Sequence, residues 1–239
     1  PQPVTHHVEE NLRADLAVGA RVHRVGNWAL VPPRVAALHA SLRFRGRRPY
    51  RIGHGGSSPL GAVGYVEAGL ELASQIDAGL VPEPSSIHVA LGSGGTAAGL
   101  AVGLAAAGLY TPIVAVRVTP LAVCNRFTVT SLLRRTVEML REHDHSFPDV
   151  ARGATKMIDI DGSLYGAGYG EASEAADDAM HRAELDGLLL DPTYTAKAFA
   201  AFLRDARTGR ETRLYWHTLS AADLSGLLGE APPLPRWAR

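Results

Sequence analysis

The sequence predicts an α/β protein with an open, mostly parallel sheet and helices on both faces, and three observations support this. Segments 86–91 and 113–119 are almost continuously apolar, as strands are when both faces of their sheet are covered. The Ala/Gly/Leu segment 97–107 between them is helical in composition, so the three form a βαβ unit of about thirty residues. Strand and helix patterns then alternate through the rest of the chain, as they do in parallel α/β folds.

The first fifty residues contain the elements that precede this unit. Residues 8–16 have an amphipathic helical pattern, which Gly19 ends, and residues 21–25 are expected to be extended. Four arginines within residues 43–48 surround Gly46. We expect this basic stretch to be a solvated loop or a helix end, because charge runs are usually exposed.

From residue 50 onward, the elements can be placed from apolar periodicity and from the glycines and prolines between them. A long helical pattern over 60–78 ends before Pro82 and Pro84, which cannot continue it. The remaining predicted helices are 128–142, 170–185 and 195–206, and the remaining predicted strands are 156–160, 187–190 and 213–217.

The composition is that of a globular protein and excludes several functional classes. Among 239 residues, 24 basic side chains balance 24 acidic ones, so no basic excess favours nucleic-acid binding. The chain has no run of 18 apolar residues, so no membrane-spanning helix is expected. The one cysteine, Cys124, excludes a disulfide framework and favours a reducing, cytoplasmic location. The ten histidines lack the spacing of metal ligands, so we expect no bound metal.

The strongest sign of chemistry is the loop at residues 92–96, Gly-Ser-Gly-Gly-Thr, between a predicted strand and a predicted helix. Glycines let several backbone N–H groups turn towards one point, and the helix dipole adds to their attraction for a phosphate. Ser93, Gly94, Gly95 and Thr96 are therefore candidate phosphate ligands, and a Cβ at Gly94 is expected to occupy the anion's place. A tight turn packed for compactness explains the same residues equally well.

Three further loops adjoin predicted elements. Residues 53–61 hold four glycines, more than a helix cap needs, so this backbone is expected to approach a ligand or another loop. Tyr194 follows the predicted strand 187–190, at the sheet edge where open α/β sheets bind ligands, and Tyr169 lies in another glycine-rich loop. A tyrosine in the position of Tyr194 can stack on a ligand or transfer a proton, or simply pack with its hydroxyl satisfied. Asp191 is a candidate site residue or only a turn and cap residue.

Three segments, in their order and spacing, resemble one family. They are residues 55–67 (Gly-Gly-Ser-Ser-Pro-Leu-Gly-Ala-Val-Gly-Tyr-Val-Glu), 92–100 (Gly-Ser-Gly-Gly-Thr, then Ala-Ala-Gly-Leu) and 190–197 (Leu-Asp-Pro-Thr-Tyr-Thr-Ala-Lys). Together they resemble the D-cysteine desulfhydrases and 1-aminocyclopropane-1-carboxylate deaminases. Those enzymes use pyridoxal 5'-phosphate on the tryptophan-synthase-β type of fold, known as fold type II. The resemblance runs from about residue 3 to about residue 227.

The resemblance implies a role for each candidate residue. Residues 93–96 would cradle the cofactor phosphate, and Tyr169 and Tyr194 would flank the substrate and take part in proton transfer. Thr195 or Thr218 would lie near the pyridine nitrogen, where a neutral hydroxyl does not force protonation and tends to favour β-elimination. Deaminases of the family carry a glutamate after the second tyrosine, where this chain has Thr195, so the resemblance favours the desulfhydrase-like branch.

The chain departs from the family at the lysine. The family's Schiff-base lysine stands in a Gly-Asn-Lys segment, followed later by a Ser-Asn-His segment, and neither occurs here. The two lysines present are Lys156 and Lys197; the second matches a family lysine that does not hold the cofactor, and we expect it to pair with a carboxylate or a helix end. The family's Gly-Gly pair after the last strand is replaced by Leu219 and Ser220, so Leu219 is expected to intrude on the cofactor pocket.

The missing lysine segment determines the domain organisation that we expect. We expect the chain to begin partway through the smaller domain, with residues 1–45 its remnant and residues 46–239 the large cofactor-binding domain. By itself the chain is expected to bind the cofactor weakly, through its phosphate, and to lack desulfhydrase activity.

Three functions remain open from the sequence. The first is the large-domain portion of a truncated or split lyase that acts on a small amino acid, with its lysine segment removed or carried on a separate chain. The second is a non-catalytic homologue that serves as a binding or partner subunit. The third is a nucleotide- or phosphosugar-binding domain. The family resemblance further implies a homodimer or another homo-oligomer.

Overall fold

The computed structural model describes residues 6–171, 173–209, 211–220, 222–229 and 231–235. The chain divides into two compact units, a larger one at Ile52–Leu219 and a smaller one made of Pro1–Arg51 and Ser220–Arg239. The helices of the described residues are α1 (His6–Ala17), α2 (Val31–Phe44), α3 (Pro59–Asp77), α4 (Gly95–Ala106), α5 (Arg126–His143), α6 (Ala151–Met157), α7 (Glu174–Leu185), α8 (Thr195–Ala206) and α9 (Ser225–Gly229). The strands are β1 (Ser86–Leu91), β2 (Ile113–Arg117), β3 (Ile158–Asp161) and β4 (Arg213–Tyr215).

The strands of the larger unit form one parallel sheet in the order β3-β2-β1-β4. Ile87 of β1 is level with Ile113 of β2 on one side and with Leu214 of β4 on the other. The chain leaves β1 for β2 on one side and returns in β4 on the other, so the strand order reverses at β1. Open α/β sheets bind ligands beside the carboxyl ends of their strands at such a point.

Alternate residues of β2 face the two covered sides of the sheet. Ile113 and Ala115 are fully buried in the main apolar core, to which α3, α4 and α5 also contribute. Val116, the next residue, packs with Ala198 and Ala201 of α8 in a separate cluster. Helices therefore cover both faces of a parallel sheet, and the predicted α/β class is confirmed.

The helices α3 and α4 pack at very close range because glycines lie between them. A Cβ on Gly99 of α4 would lie 2.6 Å from the carbonyl oxygen of Ala62 in α3. A Cβ on Gly69 of α3 would lie 2.9 Å from the carbonyl oxygen of Leu100 in α4. Each of the two helices begins directly after a glycine-serine loop, so their close packing also brings these two loops together.

Two predicted strands are not found among the described residues. Residues 21–25 are irregular and mostly exposed, so they lack the burial that a sheet would provide. The segment 187–190 is irregular as well. Leu190 packs between α7 and α8, whereas Leu189 is 72% exposed. The apolar character that suggested a strand therefore comes from packing between two helices.

Three helices of the described residues, α2, α6 and α9, lie where the sequence patterns indicated none. In α2, Pro32 and Pro33 stand in the first turn, where the fixed φ of proline suits a helix and its missing N–H leaves no bond unmade. α6 directly precedes β3, which begins at Ile158, two residues after the predicted strand start. The arginine-rich stretch 43–48 is exposed at the end of α2, as predicted.

Candidate functional site

The loop at residues 92–96 joins the carboxyl end of β1 to α4. Gly94 precedes the helix in the left-handed region, with φ +95°, a conformation that favours glycine. The Ala98 N–H donates to the Gly94 carbonyl at 3.0 Å, which is the first bond of the helix. N–H groups that precede Ala98 in the helix therefore have no carbonyl partner within it. Together with the positive end of the helix dipole, such N–H groups are suited to bind an anion.

Ser57, in the second glycine-rich loop, bonds directly to this loop. Its Oγ accepts the Gly95 N–H at 3.1 Å and lies 2.7 Å from the Oγ of Ser93. Gly55 makes room for this contact, because a Cβ there would overlap the Ser93 Oγ. The expectation that segment 53–61 approaches another loop is confirmed. Ser57 itself was not predicted as a site residue, and the excess of glycine around it is the signal that points to it.

Side chains on the two central glycines of the 92–96 loop would have different effects. A Cβ on Gly95 would lie 2.7 Å from the Ser57 Oγ and would displace the serine. A Cβ on Gly94 would lie 3.2 Å from Cγ2 of Val129, a buried residue of α5. The expectation that a Gly94 Cβ takes the anion's place is therefore wrong. Glycine is required there for its backbone conformation and for packing against α5.

Tyr194 lies against the first residue of the same loop. A Cβ on Gly92 would be 3.1 Å from Cε1 of the Tyr194 ring. The tyrosine directly precedes α8, and the Asp191 carboxylate holds this turn by accepting the N–H groups of Thr193, Tyr194 and Thr195 at 2.9, 2.7 and 3.0 Å. Asp191 is thus a turn and cap residue, one of its two predicted roles, and it fixes the direction of Tyr194.

Tyr169 and Tyr194 meet through their hydroxyls. The two phenol oxygens are hydrogen-bonded, and the rings stand edge to face with their centroids 6.0 Å apart. Burial, reinforced by the bond to Tyr169, raises the pKa of Tyr194 well above that of an ordinary phenol. Tyr194 is therefore protonated at neutral pH, a state that can donate a proton to a reacting group.

The two threonines predicted beside the pyridine nitrogen have different surroundings. Thr195 is 1% exposed, and its Oγ1 donates to the Asp191 carboxylate at 2.6 Å and accepts the Asp191 N–H at 2.6 Å. This hydroxyl is therefore used within the turn. Thr218 follows β4 by three residues and is partly exposed at the sheet edge that carries the 92–96 loop. Of the two, Thr218 is the better placed to meet a ligand.

The two lysines of the chain lie in contrasting surroundings. Lys156 is exposed in the last turn of α6. Lys197 of α8 is 1% exposed, and its Nζ donates to the carbonyl of Tyr165 at 2.9 Å. Burial lowers the pKa of Lys197, and the negative charge of Glu171 opposes this shift. We expected a carboxylate or a helix end as its partner, and the hydrogen-bond acceptor is instead a loop carbonyl.

Two negative findings apply to the described part of the chain alone. In it, no group of three histidine, cysteine, aspartate or glutamate side chains is arranged to hold a metal ion. None of the helices described above is long and apolar enough to cross a membrane.

Comparison with known proteins identifies the family. The family described as "Pyridoxal-phosphate dependent enzyme" matches residues 3–215. This chain belongs to that family. The prediction of pyridoxal 5'-phosphate as the cofactor is thereby confirmed, because the family is defined by it.

Individual relatives show which members of the family this pyridoxal-phosphate-dependent chain is similar to. Nocardicin C-9' epimerase from Nocardia uniformis subsp. tsuyamanensis is 34% identical over 237 residues, covering 98% of this chain and 70% of the epimerase. D-cysteine desulfhydrase from Klebsiella pneumoniae (strain 342) is 36% identical over 167 residues, covering 70% of this chain and 47% of the desulfhydrase. A crystal structure of an ACC deaminase homologue has a TM-score of 0.65 and 26% identity, over 90% of this chain and 65% of that one. The predicted desulfhydrase and deaminase family and fold type II are confirmed.

The 92–96 loop of this pyridoxal-phosphate-dependent chain fits the cofactor's phosphate. The Gly95 N–H is bonded to Ser57, so the available donors are the next N–H groups at the start of α4 and the hydroxyls of Ser93 and Thr96, both partly exposed. All of them are neutral donors, and the segment has no acidic side chain to repel an anion. The left-handed turn at Gly94 directs the loop around the helix end. These residues suit a phosphate group at the carboxyl end of β1.

Proposed function

We propose that this chain provides the phosphate site and the tyrosine pair of a pyridoxal-phosphate-dependent lyase that acts on a small amino acid. The proposed reaction is an α,β-elimination of the kind that the name D-cysteine desulfhydrase describes. The position of Tyr194 carries the proposal. Its hydroxyl meets that of Tyr169, and its ring lies against Gly92, the first residue of the phosphate loop. A proton donor therefore stands beside the proposed cofactor site.

The residues of the proposed site have separate tasks. The N–H groups at the start of α4, with the hydroxyls of Ser93 and Thr96, bind the phosphate. Ser57 orders the loop by accepting the Gly95 N–H. Thr218 presents a neutral hydroxyl to the pyridine nitrogen. Pyridoxal phosphate, when bound, supplies an electron sink that acidifies the α-hydrogen of an attached amino acid.

Tyr194 is the proposed proton donor in the elimination. The Tyr194 phenol is protonated at neutral pH, and its place beside the site lets it donate that proton as negative charge develops on the leaving group. In an elimination from D-cysteine, a base of the completed site takes up the α-hydrogen as a proton, the carbon–sulfur bond breaks, and the departing sulfur accepts the proton of Tyr194. Tyr169 can then return a proton to Tyr194 through the hydrogen bond between them and regain one from water.

The residue after Tyr194 supports the desulfhydrase-like branch. Deaminases that the chain resembles carry a glutamate there, whereas this chain has Thr195 with its hydroxyl bonded to Asp191. The proposed site therefore has no second acid at this position. A neutral partner for the pyridine nitrogen suits elimination, and Thr218 can provide it.

A second candidate is epimerisation at the α-carbon of an amino-acid substrate. One observation favours it, namely that the epimerase relative covers 98% of this chain. In such a reaction a proton leaves one face of the α-carbon and another is added to the opposite face, while the bond to the β-substituent stays intact. The Tyr169–Tyr194 pair can donate that second proton as well.

Product analysis distinguishes these candidates. The natural full-length protein is incubated in deuterium oxide with pyridoxal phosphate and D-cysteine. We expect pyruvate, ammonia and sulfide in equal amounts. L-cysteine with deuterium at the α-carbon, and no pyruvate, would show the epimerase instead. Bound cofactor with neither product would contradict both reactions on D-cysteine and would favour a non-catalytic binding or partner subunit.

This chain covers only 47% of the desulfhydrase's length, so the activity of the whole protein is itself a proposal. We propose that a lysine segment outside these 239 residues, in the same protein or on a separate chain, completes the site. The homo-oligomeric state, the cytoplasmic location and the assignment of residues 1–45 to a smaller domain stay predictions. Activity that appears when a Gly-Asn-Lys-containing chain is added to this one would support the split arrangement.

A further inference from the structure

Tyr169 lies on a loop that has no regular structure of its own. The loop follows β3 and runs from residue 162 to residue 171. Gly166 and Gly170 both have positive φ, at +70° and +78°, so the backbone turns sharply on each side of Tyr169. Some contact outside the loop must therefore hold Tyr169 opposite Tyr194.

Lys197 makes such a contact from α8. It follows Tyr194 by three residues, so the two side chains leave neighbouring positions on the same part of the helix. Its Nζ donates to the Tyr165 carbonyl at 2.9 Å and would be 3.8 Å from a Cβ on Gly166. Glu171, at the other end of the loop, is close enough for its charge to act on the amine. The amine is thus hydrogen-bonded to the segment that carries Tyr169, within the reach of the negative charge at its end.

Tyr165, near the start of the loop, is also contacted by Arg117. The guanidinium of Arg117, at the carboxyl end of β2, lies 4.9 Å from the centre of the Tyr165 ring. Its Nη1 also donates to the Thr119 carbonyl at 2.9 Å, and Thr119 in turn donates to the carbonyl of Gly92 at 2.9 Å. The backbone of Tyr165 is held by Lys197, and its ring by a residue connected to the phosphate loop.

The burial of Lys197 is the reason to assign it a specific task. A lysine at 1% exposure is rare, because an amine removed from water loses hydration that protein contacts must replace. An apolar side chain would fill this space at lower cost. The observed hydrogen bond goes to the loop backbone at Tyr165, so the charge is placed where it orders that loop.

We propose that Lys197 is a positioning residue that fixes the loop 162–171, through the Tyr165 carbonyl, so that the Tyr169 hydroxyl meets Tyr194. The inference rests on the proposed function in one respect, namely that the tyrosine pair takes part in proton transfer. In this role Lys197 does not touch the cofactor or the substrate. Its removal releases Tyr169 and leaves Tyr194 in place, because Tyr194 is held by Asp191.

The test compares Lys197→Met with Lys156→Met, which removes the chain's other lysine from an exposed position. The first measurement is amide hydrogen exchange of the protein without cofactor. We expect exchange at residues 165–171 to rise by about tenfold or more in Lys197→Met, with α4 and β1 unchanged and with Lys156→Met like the wild type. Unchanged exchange in this loop would overturn the proposal, whatever reaction the protein catalyses.

The second measurement is a double-mutant cycle on pyruvate release from D-cysteine by the natural full-length protein. Lys197→Met should lower kcat by about 10- to 100-fold, the scale of a lost bond to a charged group, with KM little changed. In a Tyr169→Phe background the same substitution should change kcat by less than about twofold, because the group that it positions is gone. Equal losses in both backgrounds would show that Lys197 acts independently of Tyr169 and would contradict the proposal.

A substitute variant and a labelling experiment complete the test of Lys197. If Lys197→Met does not fold, Lys197→Gln takes its place, because an amide on a shorter side chain cannot reach the Tyr165 carbonyl but stays polar. The same rise in loop exchange is expected. A pyridoxyl group found on Lys197 after borohydride reduction and mass spectrometry would overturn the positioning role, since the amine would then hold the cofactor itself.

Discussion

The hydroxyl of Tyr169 is hydrogen-bonded to the hydroxyl of Tyr194, although the two residues belong to different elements. Tyr194 is held by the Asp191 turn at the start of α8, and Tyr169 comes from the loop between β3 and α7. The rings meet edge to face, and that of Tyr194 also lies against Gly92. Two phenols from separate segments thus converge beside the predicted phosphate loop.

The first prediction concerns the donor role of Tyr194. Tyr194→Phe keeps the ring against Gly92 but removes the proton, so turnover should fall by about 10²–10⁴-fold, the usual scale for a positioned acid. Affinity for pyridoxal phosphate, measured by absorbance titration, should change little. Tyr110→Phe, at a tyrosine that is 57% exposed, is the matched control and should behave like the wild type. Wild-type turnover in Tyr194→Phe would show that Tyr194 packs in the site and does not donate a proton.

The second prediction concerns the contact between the two glycine-serine loops. Gly55 and Gly56 both have positive φ, at +57° and +69°, so alanine at either position carries a similar backbone cost of about 1–2 kcal/mol. Only at Gly55 would the new Cβ overlap the Ser93 Oγ, whereas at Gly56 it meets nothing within 4 Å. Gly55→Ala should therefore weaken pyridoxal phosphate binding by about tenfold more than Gly56→Ala, the scale of one lost charged hydrogen bond. Equal affinities for the two variants, by equilibrium titration, would remove Ser93 from the phosphate site.

The third prediction concerns the approach of Tyr194 to the phosphate loop. Gly92→Ala places a Cβ 3.1 Å from the Tyr194 ring, so the ring must move by a few tenths of an ångström. A small displacement of a reacting group can cost much of the rate, and we expect kcat to fall by about tenfold with cofactor affinity within about threefold. Gly64→Ala in α3, where a Cβ meets nothing, is the control. A loss of cofactor affinity without a loss of kcat would contradict this placement.

The βαβ unit could be predicted from the sequence because its signals are local. The strand at 86–91 has the predicted bounds, and α4 begins at Gly95, two residues before the predicted helix. Apolar runs and intervening glycines specify these elements whatever else the chain does. Tyr194 was a candidate from its place at the sheet edge and Tyr169 from its glycine-rich loop, but their pairing could not be predicted, since nothing in their spacing indicates that their hydroxyls meet.

Other features depend on contacts between distant segments and were missed. Ser57 acquires its role because glycines such as Gly99 let α3 and α4 approach closely enough to join two loops. The segment 187–190 has the composition of a strand, but Leu190 is buried by α7 and α8 and not by a sheet. In both cases the deciding partner is remote in sequence, so local patterns could not reveal it.

The fourth prediction concerns stability in acid. His88 of β1 is fully buried, and its Nε2 lies 2.9 Å from the Asp205 carboxylate. Burial lowers the pKa of His88 in spite of this partner. As pH falls below about 6.5, His88 therefore takes up a proton in the unfolded chain before it does so in the folded one. This shifts the equilibrium towards the unfolded chain, so the stability present above about pH 6.5 decreases as pH is lowered further.

Thermal unfolding at a series of pH values checks this. The unfolding midpoint of the wild type should decline as pH is lowered from about 7.5 to about 5, whereas His88→Asn should start lower and decline less. His181→Asn, at an exposed position in α7, should keep the wild-type slope. Identical slopes for wild type and His88→Asn would show that His88 is not the group responsible. The carboxylates of Asp161 and Asp205, whose pKa values are lowered, act only at still lower pH.

The central claim is that the start of α4 binds the phosphate of pyridoxal phosphate with the tyrosine pair beside it. A crystal structure of the protein in complex with pyridoxal phosphate tests it most directly. We predict the phosphate within hydrogen-bond distance of backbone N–H groups in residues 93–97 and of the Thr96 hydroxyl, with Tyr194 next to the pyridine ring. A phosphate bound elsewhere, with these N–H groups in contact with water alone, would contradict the account.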